Sequence, residues 1–531
     1  MLLFNKKNKR YLLFSCAITL FSILPQFFIS NHSLLHIVLL VFIVFFLLLA
    51  STSKILFNIL IIYLNFLNIL MAHVFMHWGG SLMGRFEVAL ESPRYETLEY
   101  LRTYIGYKDW FIIIYSLIIL FILFNSKIKY NCYSKFLKII SIIVCALIYF
   151  FVLIHYNPFK QITYGGFERI LKGGAIESIR DKYLSTLKSK KNNKGLYDKV
   201  IIIQGESANK NHLQIYGYGV NTTPYLSKLY KSKKLFILNA ISGANTTSYA
   251  VPMVFTKANV LNWQKNYIHS PSILTDFANS SYETYWISNQ GHVEDDTIVD
   301  IAKEANIQKF FNSGDYTEAK TDMIIKKYLA KLKINNNKEF YVFHLIGSHA
   351  RYASRYNKLH ILYKNPKNIF QEYDNTIYFT DFIIKSIIRH FSNSKKLLVI
   401  YLSDHGEIVS QKKHGHGFLH PHKNEYQIPF IIYSSIKNNR ISKIVNDNKK
   451  HYFNEENFNY IIKYISGISN DNNISYEFHV FSAGAPKNIL NYDKLKTYKE
   501  MNPYFKGVIL KPKSATKNLI EKLFYLLETV L

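Results

Sequence analysis

Hydrophobic and polar positions divide the chain at about residue 155. Before that point, apolar runs at residues 11–28, 36–50, 55–75, 110–124 and 138–155 have the character of membrane-spanning helices, although the second and fourth are short. Four further runs follow the first, which argues against a cleaved signal peptide. From residue 199 the period shortens. Apolar runs at 199–203, 235–238, 284–288, 340–345, 397–402 and 428–433 predict strands separated by polar helices. Several are near-continuous, as strands covered on both faces are. The expected organisation is a transmembrane domain of five helices (1–155), a Lys- and Gly-rich linker with a membrane-surface helix (156–197), and an α/β domain with a mainly parallel, helix-covered sheet (198–531).

Charge then orients the chain. Lys6, Lys7, Lys9 and Arg10 precede the first run, and Lys127, Lys129 and Lys135 lie between the fourth and fifth. Cytoplasmic loops carry such an excess, so an odd number of spans places the α/β domain outside the cytoplasm. The segment 76–109 falls outside too, and Ser92-Pro93 there can start a helix with Glu96 in its first turn. The apolar helices serve either as a bare anchor or also as a binding surface for the lipid tails of a substrate. The net charge of +29 raises nucleic acid as a partner. The cations are dispersed, however, and Lys dominates without any compact Arg block, so an anionic lipid surface is the better match. The three cysteines, Cys16, Cys132 and Cys145, leave none in 156–531. The α/β domain is therefore expected to have no disulfide and no thiolate zinc site, and any metal in it must be held by oxygen and imidazole.

Reactive side chains cluster just after the predicted strands, where an open α/β sheet builds its sites. Gln204-Gly205-Glu206-Ser207 follows the first and puts a carboxylate at a strand end. Ser242-Gly243-Ala244-Asn245-Thr246-Thr247 follows the second and leads into an apolar helix. A hydroxyl at a helix start is either a cap or a nucleophile whose ionisation that position favours. Along Phe343-His344-Leu345-Ile346-Gly347-Ser348-His349, strand alternation makes His344 a core histidine and leaves His349 for the site. Ser403-Asp404-His405-Gly406-Glu407 places Asp and His on a turn that can share one metal, against the alternative of a salt-bridged turn. His414-Gly415-His416-Gly417 follows, with His420 and His422 beyond; histidines between glycines have little use in packing.

Together these segments resemble the alkaline phosphatase superfamily, and within it the bacterial phosphoethanolamine transferases that modify lipid A or lipooligosaccharide. The stretch from Gly205 through Tyr216-Gly217-Tyr218 to Asn221-Thr222-Thr223-Pro224 is similar to that family's first block. Gly243-Ala244-Asn245-Thr246-Thr247 with Val251-Pro252 is similar to its nucleophile block, and Thr284-Tyr285-Trp286-Ile287-Ser288-Asn289-Gln290 and Tyr373-Asp374-Asn375 match further. The resemblance implies that Glu206, Thr247, Asp404 and His405 hold a catalytic Zn2+. It implies that Thr247, five residues before Pro252, attacks the phosphate of phosphatidylethanolamine and releases diacylglycerol. The phosphoethanolamine on Thr247 would then pass to a cell-envelope acceptor, lipid A or the core sugars of lipopolysaccharide or lipooligosaccharide, with a surface protein as the remaining alternative. His349 and His416 are implied contacts of the phosphate or of a second zinc, and Asn245 and Asn289 are expected substrate contacts. A monomer in the inner membrane with a periplasmic catalytic domain is expected. The chemistry has its own logic: bound zinc makes a threonine hydroxyl a usable nucleophile, and a covalent step lets one site serve donor and acceptor in turn.

Three departures bear on the acceptor: the lack of disulfides, Ala350-Arg351 where the family often has Gly-Pro, and Asn209 and Asn211 in place of Arg and Asp. The alternative is a phosphoglycerol transferase using phosphatidylglycerol. A sulfate-ester hydrolase would need a C/S-x-P-x-R motif, which the α/β domain lacks. A catalytically dead scaffold is disfavoured by Glu206, Thr247, Asp404 and His405 occurring together.

Overall fold

The computed structural model describes residues 14–15, 17–22, 54–78, 105–125, 179–187, 195–291, 297–312, 320–471, 474–476, 478–482 and 489–500. The expected spans at 36–50 and 138–155, most of that at 11–28, the helix start at Ser92-Pro93 and most of the linker lie outside them. The chain divides into two compact units, Met1–Leu90 with Tyr100–Gly173, and Glu91–Glu99 with Gly174–Leu531.

The first unit contains helices α1 (Lys54–Trp78) and α2 (Tyr107–Asn125). Polar side chains share its interior with Phe57, Ile61, Ile119 and Leu123, and large apolar ones cover its outside. Ser15, Thr19, Ser22, Asn65 and Ser116 are buried, while Ile55, Phe66, Phe111, Phe121 and Phe124 are exposed. Asn65 Nδ2 donates to Ser22 Oγ at 3.0 Å and to Ile61 O at 2.9 Å. Among the described residues, no helix is long and apolar enough to cross a membrane.

The second unit is built on eight strands: β1 (Lys199–Gly205), β2 (Leu235–Ile241), β3 (Glu283–Gly291), β4 (Ile307–Asn312), β5 (Glu339–His344), β6 (Leu397–Ser403), β7 (Gln427–Ser434) and β8 (Phe453–Asn454). Their order is β4-β3-β5-β1-β6-β7-β2-β8. All pairings are parallel except those of β7 with β6 and with β2, so β7 alone runs against the rest. The six expected strands are all present. Strands β4 and β8 were not anticipated: β4 is an edge strand whose first three residues are exposed, and β8 is two residues long, so neither carries a long apolar run.

Alternation explains the continuous apolar runs. Val200 and Ile202 of β1, Phe340 and Val342 of β5, and Leu398 and Ile400 of β6 enter one core. Ile201 and Ile203, Tyr341 and Phe343, and Leu397 and Val399 enter the core on the other face. Helix α3 (Thr247–Phe255) packs into the first through Val251, Val254 and Phe255. Helix α4 (Ile369–His390) covers the second through Tyr373, Ile377, Ile384 and Ile388, at the four- and seven-residue spacing of a helix face. Asn368 caps α4 by accepting from Gln371 N. The described end of the expected linker packs on this unit: Arg180 is fully buried, with Nη2 2.7 Å from Glu304 Oε1.

Candidate functional site

Register brings the reactive groups together. Gly205 of β1 pairs with Ser403 of β6, so the next residues, Glu206 and Asp404, leave adjacent strand ends at the same level. Ser207 takes φ 56°, a left-handed conformation that non-glycine residues adopt at some energetic cost. Its amide donates to Asp404 Oδ1 at 3.1 Å and its hydroxyl to Glu206 Oε1 at 2.8 Å. Gly406 is required by close approach, since a Cβ there would collide with Asn424 O.

Thr247 is the first residue of α3. The preceding Thr246 occupies the cap position, yet its side chain makes no capping bond. The Thr247 hydroxyl lies 3.2 Å from Glu206 Oε2 and 3.2 Å from His405 Nε2. His405 Nε2 is in turn 3.2 Å from Glu206 Oε1 and 3.4 Å from Asp404 Oδ2. The capping alternative for Thr247 is thus not what its side chain does. It faces the Glu206 carboxylate and the His405 imidazole.

These distances suit a bound ion. Ligands about 2.0 Å from a tetrahedral Zn2+ lie roughly 3.3 Å from one another. Glu206, Asp404 and His405 are all buried, and each offers a ligand atom within 4.8 Å of the others. Asp404 Oδ2 is buried without a hydrogen bond, although such atoms are normally satisfied. Burial and the charge of Glu206 push the Asp404 carboxyl up to about 8. Glu206 is held well below the usual carboxylate range: burial opposes this, but the charge of His405 prevails. Burial also works against a charged His405, yet Asp404 and Glu206 draw it up to about 10. Two carboxylates buried this closely need a positive charge between them, and a divalent cation supplies it. The residues present fit zinc.

His416 approaches from the loop after β6, its ring centroid 3.9 Å from that of His405 and 6.0 Å from that of His349. Glu206, His349 and His416 form a second potential ligand set, and His405, Glu407 and His416 a third. Of the two histidines between glycines, His416 is therefore the one in both sets. His344 is a core residue: it is fully buried, and burial lowers its pKa to about 4.

Asn245 and Asn289 are both buried and held by hydrogen bonds. Asn245 Nδ2 donates to Glu425 Oε2 at 2.8 Å and to Phe418 O at 3.0 Å, tying the turn before Thr247 to the loop that carries His416. Asn289 Nδ2 donates to Asp322 Oδ1 at 2.9 Å. Asp322 accepts in turn from Ile346 N and Gly347 N, each at 3.0 Å. That turn packs on Glu206, whose carbonyl accepts from Ser348 N at 2.9 Å.

Sequence reasoning assigned no role to Glu407 or Gln290. Glu407 Oε2 lies 2.7 Å from His416 Nδ1, and its Oε1 accepts from Tyr352 at 2.6 Å. Burial pushes its carboxyl up to about 8. Gln290 Nε2 donates to Leu345 O at 2.8 Å and to Glu206 Oε2 at 3.4 Å. Glu407 was within view, two residues after His405. Gln290 carried no local signal, since only the sheet order puts β3 near β1.

The Sulfatase family model matches residues 198–478. Phosphoethanolamine transferase EptC of Escherichia coli K12 is 26% identical over 262 residues, covering 45% of each chain. Phosphoethanolamine transferase EptA of Helicobacter pylori is 26% identical over 255 residues, 44% of this chain and 47% of its own. The chain thus spans less than half the length of these curated relatives. The zinc complex of the C-terminal periplasmic domain of E. coli EptC superposes with a TM-score of 0.51 at 21% identity, over 60% of this chain and 98% of that one. The integral membrane lipooligosaccharide phosphoethanolamine transferase A of Neisseria meningitidis gives 0.55 at 15% identity, over 87% and 96%. At these identities the superpositions establish a shared fold.

Proposed function

The chain belongs to the sulfatase family, and from that premise we propose that it transfers phosphoethanolamine from phosphatidylethanolamine to a cell-envelope acceptor through a covalent intermediate on Thr247. The observation that carries this reading is the Thr247 hydroxyl standing 3.2 Å from both Glu206 and His405 at a buried ligand cluster. Sulfate-ester hydrolysis by a formylglycine is disfavoured because the C/S-x-P-x-R motif is missing from the α/β domain.

Glu206, Asp404, His405 and Thr247 would hold zinc, which when bound supplies a lower cost of ionising the threonine hydroxyl and charge neutralisation at the phosphoryl group. Thr247 attacks phosphorus, and the diacylglycerol oxygen leaves with a proton. His416, oriented by Glu407, faces the same space and is placed to exchange that proton. His349 contacts the phosphoryl oxygens from the opposite turn. The acceptor hydroxyl or phosphate then displaces Thr247 from phosphorus. Asn245 and Asn289 act as positioning residues, through Glu425 and Asp322.

The acceptor we infer is lipid A or a core sugar of lipopolysaccharide. The support is a relative in E. coli K12, a Kdo(2)-lipid A phosphoethanolamine 7''-transferase, 26% identical over 302 residues. We infer five spans over residues 1–155, a linker over 156–197 and a periplasmic catalytic domain over 198–531, working as a monomer in the inner membrane. The exposed surface of the first unit supports this: Ile55, Phe66, Phe111, Phe121 and Phe124 face outward from α1 and α2 while Asn65 and Ser116 are buried, as suits a hydrocarbon solvent.

The full chain, given head-group-labelled phosphatidylethanolamine or phosphatidylglycerol, should acquire label on Thr247 from the ethanolamine lipid. Label arriving only from the glycerol lipid overturns the donor, and label on no residue overturns the covalent route.

A further inference from the structure

The first unit holds a second set of metal-ligating groups, separate from the Thr247 centre. His73 and His77 lie one helical turn apart near the end of α1, so their imidazoles share a face. Asp109 stands in the first turn of α2 and is 5% exposed. His73 Nδ1 is 2.6 Å from Asp109 Oδ1, and His77 Nε2 is 3.1 Å from Oδ2. The two ring centroids are 4.7 Å apart. One ligand atom from each of the three residues lies within 4.8 Å of the others. Gly106 N donates to Asp109 Oδ2 at 2.8 Å, which fixes the carboxylate plane.

We propose that His73, His77 and Asp109 bind a divalent transition-metal ion, with Zn2+ the best match, that clamps the last two turns of α1 to the first turn of α2. Three lines converge on it. Two histidines four residues apart on a helix, with a carboxylate from a neighbouring element, form a recognised zinc donor set. The carboxylate turns a different oxygen toward each imidazole, and the nitrogens that converge are Nδ1 of one ring and Nε2 of the other. The surroundings also call for a cation, because a buried carboxylate in a unit with outward-facing apolar helices is costly without one. The C-terminal end of α1, where both histidines sit, carries the negative end of the helix dipole and favours the same charge. The ion would hold together the two ends of segment 79–106, and three protein ligands leave one position for water or an anionic oxygen.

The test is metal stoichiometry of the full chain in detergent micelles, loaded with zinc and desalted. The wild type should carry one equivalent more than His73→Ala/His77→Ala, with the remaining zinc retained. His77→Cys should keep the equivalent, and after cobalt substitution it should show a thiolate-to-cobalt charge-transfer band that the wild type lacks. That band would not arise from a merely structural hydrogen bond. Equal metal content in the wild type and the double-alanine variant overturns the proposal. So does a His77→Cys protein, loaded with cobalt, that shows no such band.

Discussion

Gly347→Ala tests whether backbone packing at the 346–348 turn holds Glu206 in place. Gly347 has φ +50°, and a Cβ there would stand 2.7 Å from Glu206 O, 2.9 Å from Glu206 N and 3.2 Å from Glu206 Cβ. The left-handed conformation costs an alanine roughly 1–2 kcal/mol. Relieving an overpacked contact costs roughly 1–3 kcal/mol more. The total, about 2–5 kcal/mol, is a large share of a domain's stability. Relief cannot come from the turn alone, because Asp322 holds Ile346 N and Gly347 N at 3.0 Å from its carboxylate. Glu206 must therefore shift, and its carboxylate with it. The expected outcome is a lower denaturation midpoint, followed by fluorescence of the buried Trp286, together with zinc affinity weakened roughly 10–100-fold, as when supporting contacts of a metal ligand are lost. Competition with a chromogenic chelator measures the second quantity. An alanine variant with both the midpoint and the zinc affinity of the wild type would refute the steric argument.

Three further predictions follow from the same geometry. Thr247→Ala should abolish covalent labelling by head-group-labelled phosphatidylethanolamine and lower transfer by roughly a thousandfold or more, whereas Thr247→Ser should retain labelling; mass spectrometry of the labelled peptide decides. Chelation should stop transfer and destabilise the second unit by roughly 4 kcal/mol if zinc is normally present at a thousand times its dissociation constant, with both effects reversed by added zinc and read by thermal unfolding. The third prediction concerns pH. Burial works against a charge on His212, but Asp374 and Glu500 overcome this and raise it to about 9 from an ordinary 6.5. A histidine raised in the folded state contributes stability that is complete below about pH 6.5 and lost as pH climbs through 9. Because burial also pushes the Asp374 carboxyl up, the pair's contribution is set at roughly 1–3 kcal/mol. His212→Gln should therefore lose less stability than the wild type between pH 6.5 and 9 in urea titrations; parallel pH dependence in the two proteins would contradict the assignment.

Much of the second unit was legible because strands covered on both faces leave near-continuous apolar runs, and all six predicted runs became strands. Glu206, Asp404 and His405 were legible for a related reason: they follow such runs directly, and a parallel sheet puts its strand ends on one side. Edge strand β4 was hidden by its polar, exposed first half, which carries little of the signal that burial writes into a sequence. Asn245 and Asn289 mark the opposite limit. Their positions beside reactive segments point to substrate contact, while the partners that hold their amides, Glu425 and Asp322, lie more than thirty residues away in the chain. His73, His77 and Asp109 went unremarked because no local pattern links residue 77 to residue 109.

The sequence by itself determined the alternation that makes a two-faced sheet and the residue types able to hold a metal without thiolates. These are local properties, set by side-chain polarity and spacing along the chain. Only the tertiary structure decided which of those groups meet. The Gly205–Ser403 register sets Glu206 beside Asp404, α3 turns Thr247 toward Glu206, and the loop after β6 brings His416 against His405. Distances of 3.2 Å between residues up to 199 positions apart in sequence arise from strand pairing and core packing, which no stretch of chain encodes alone.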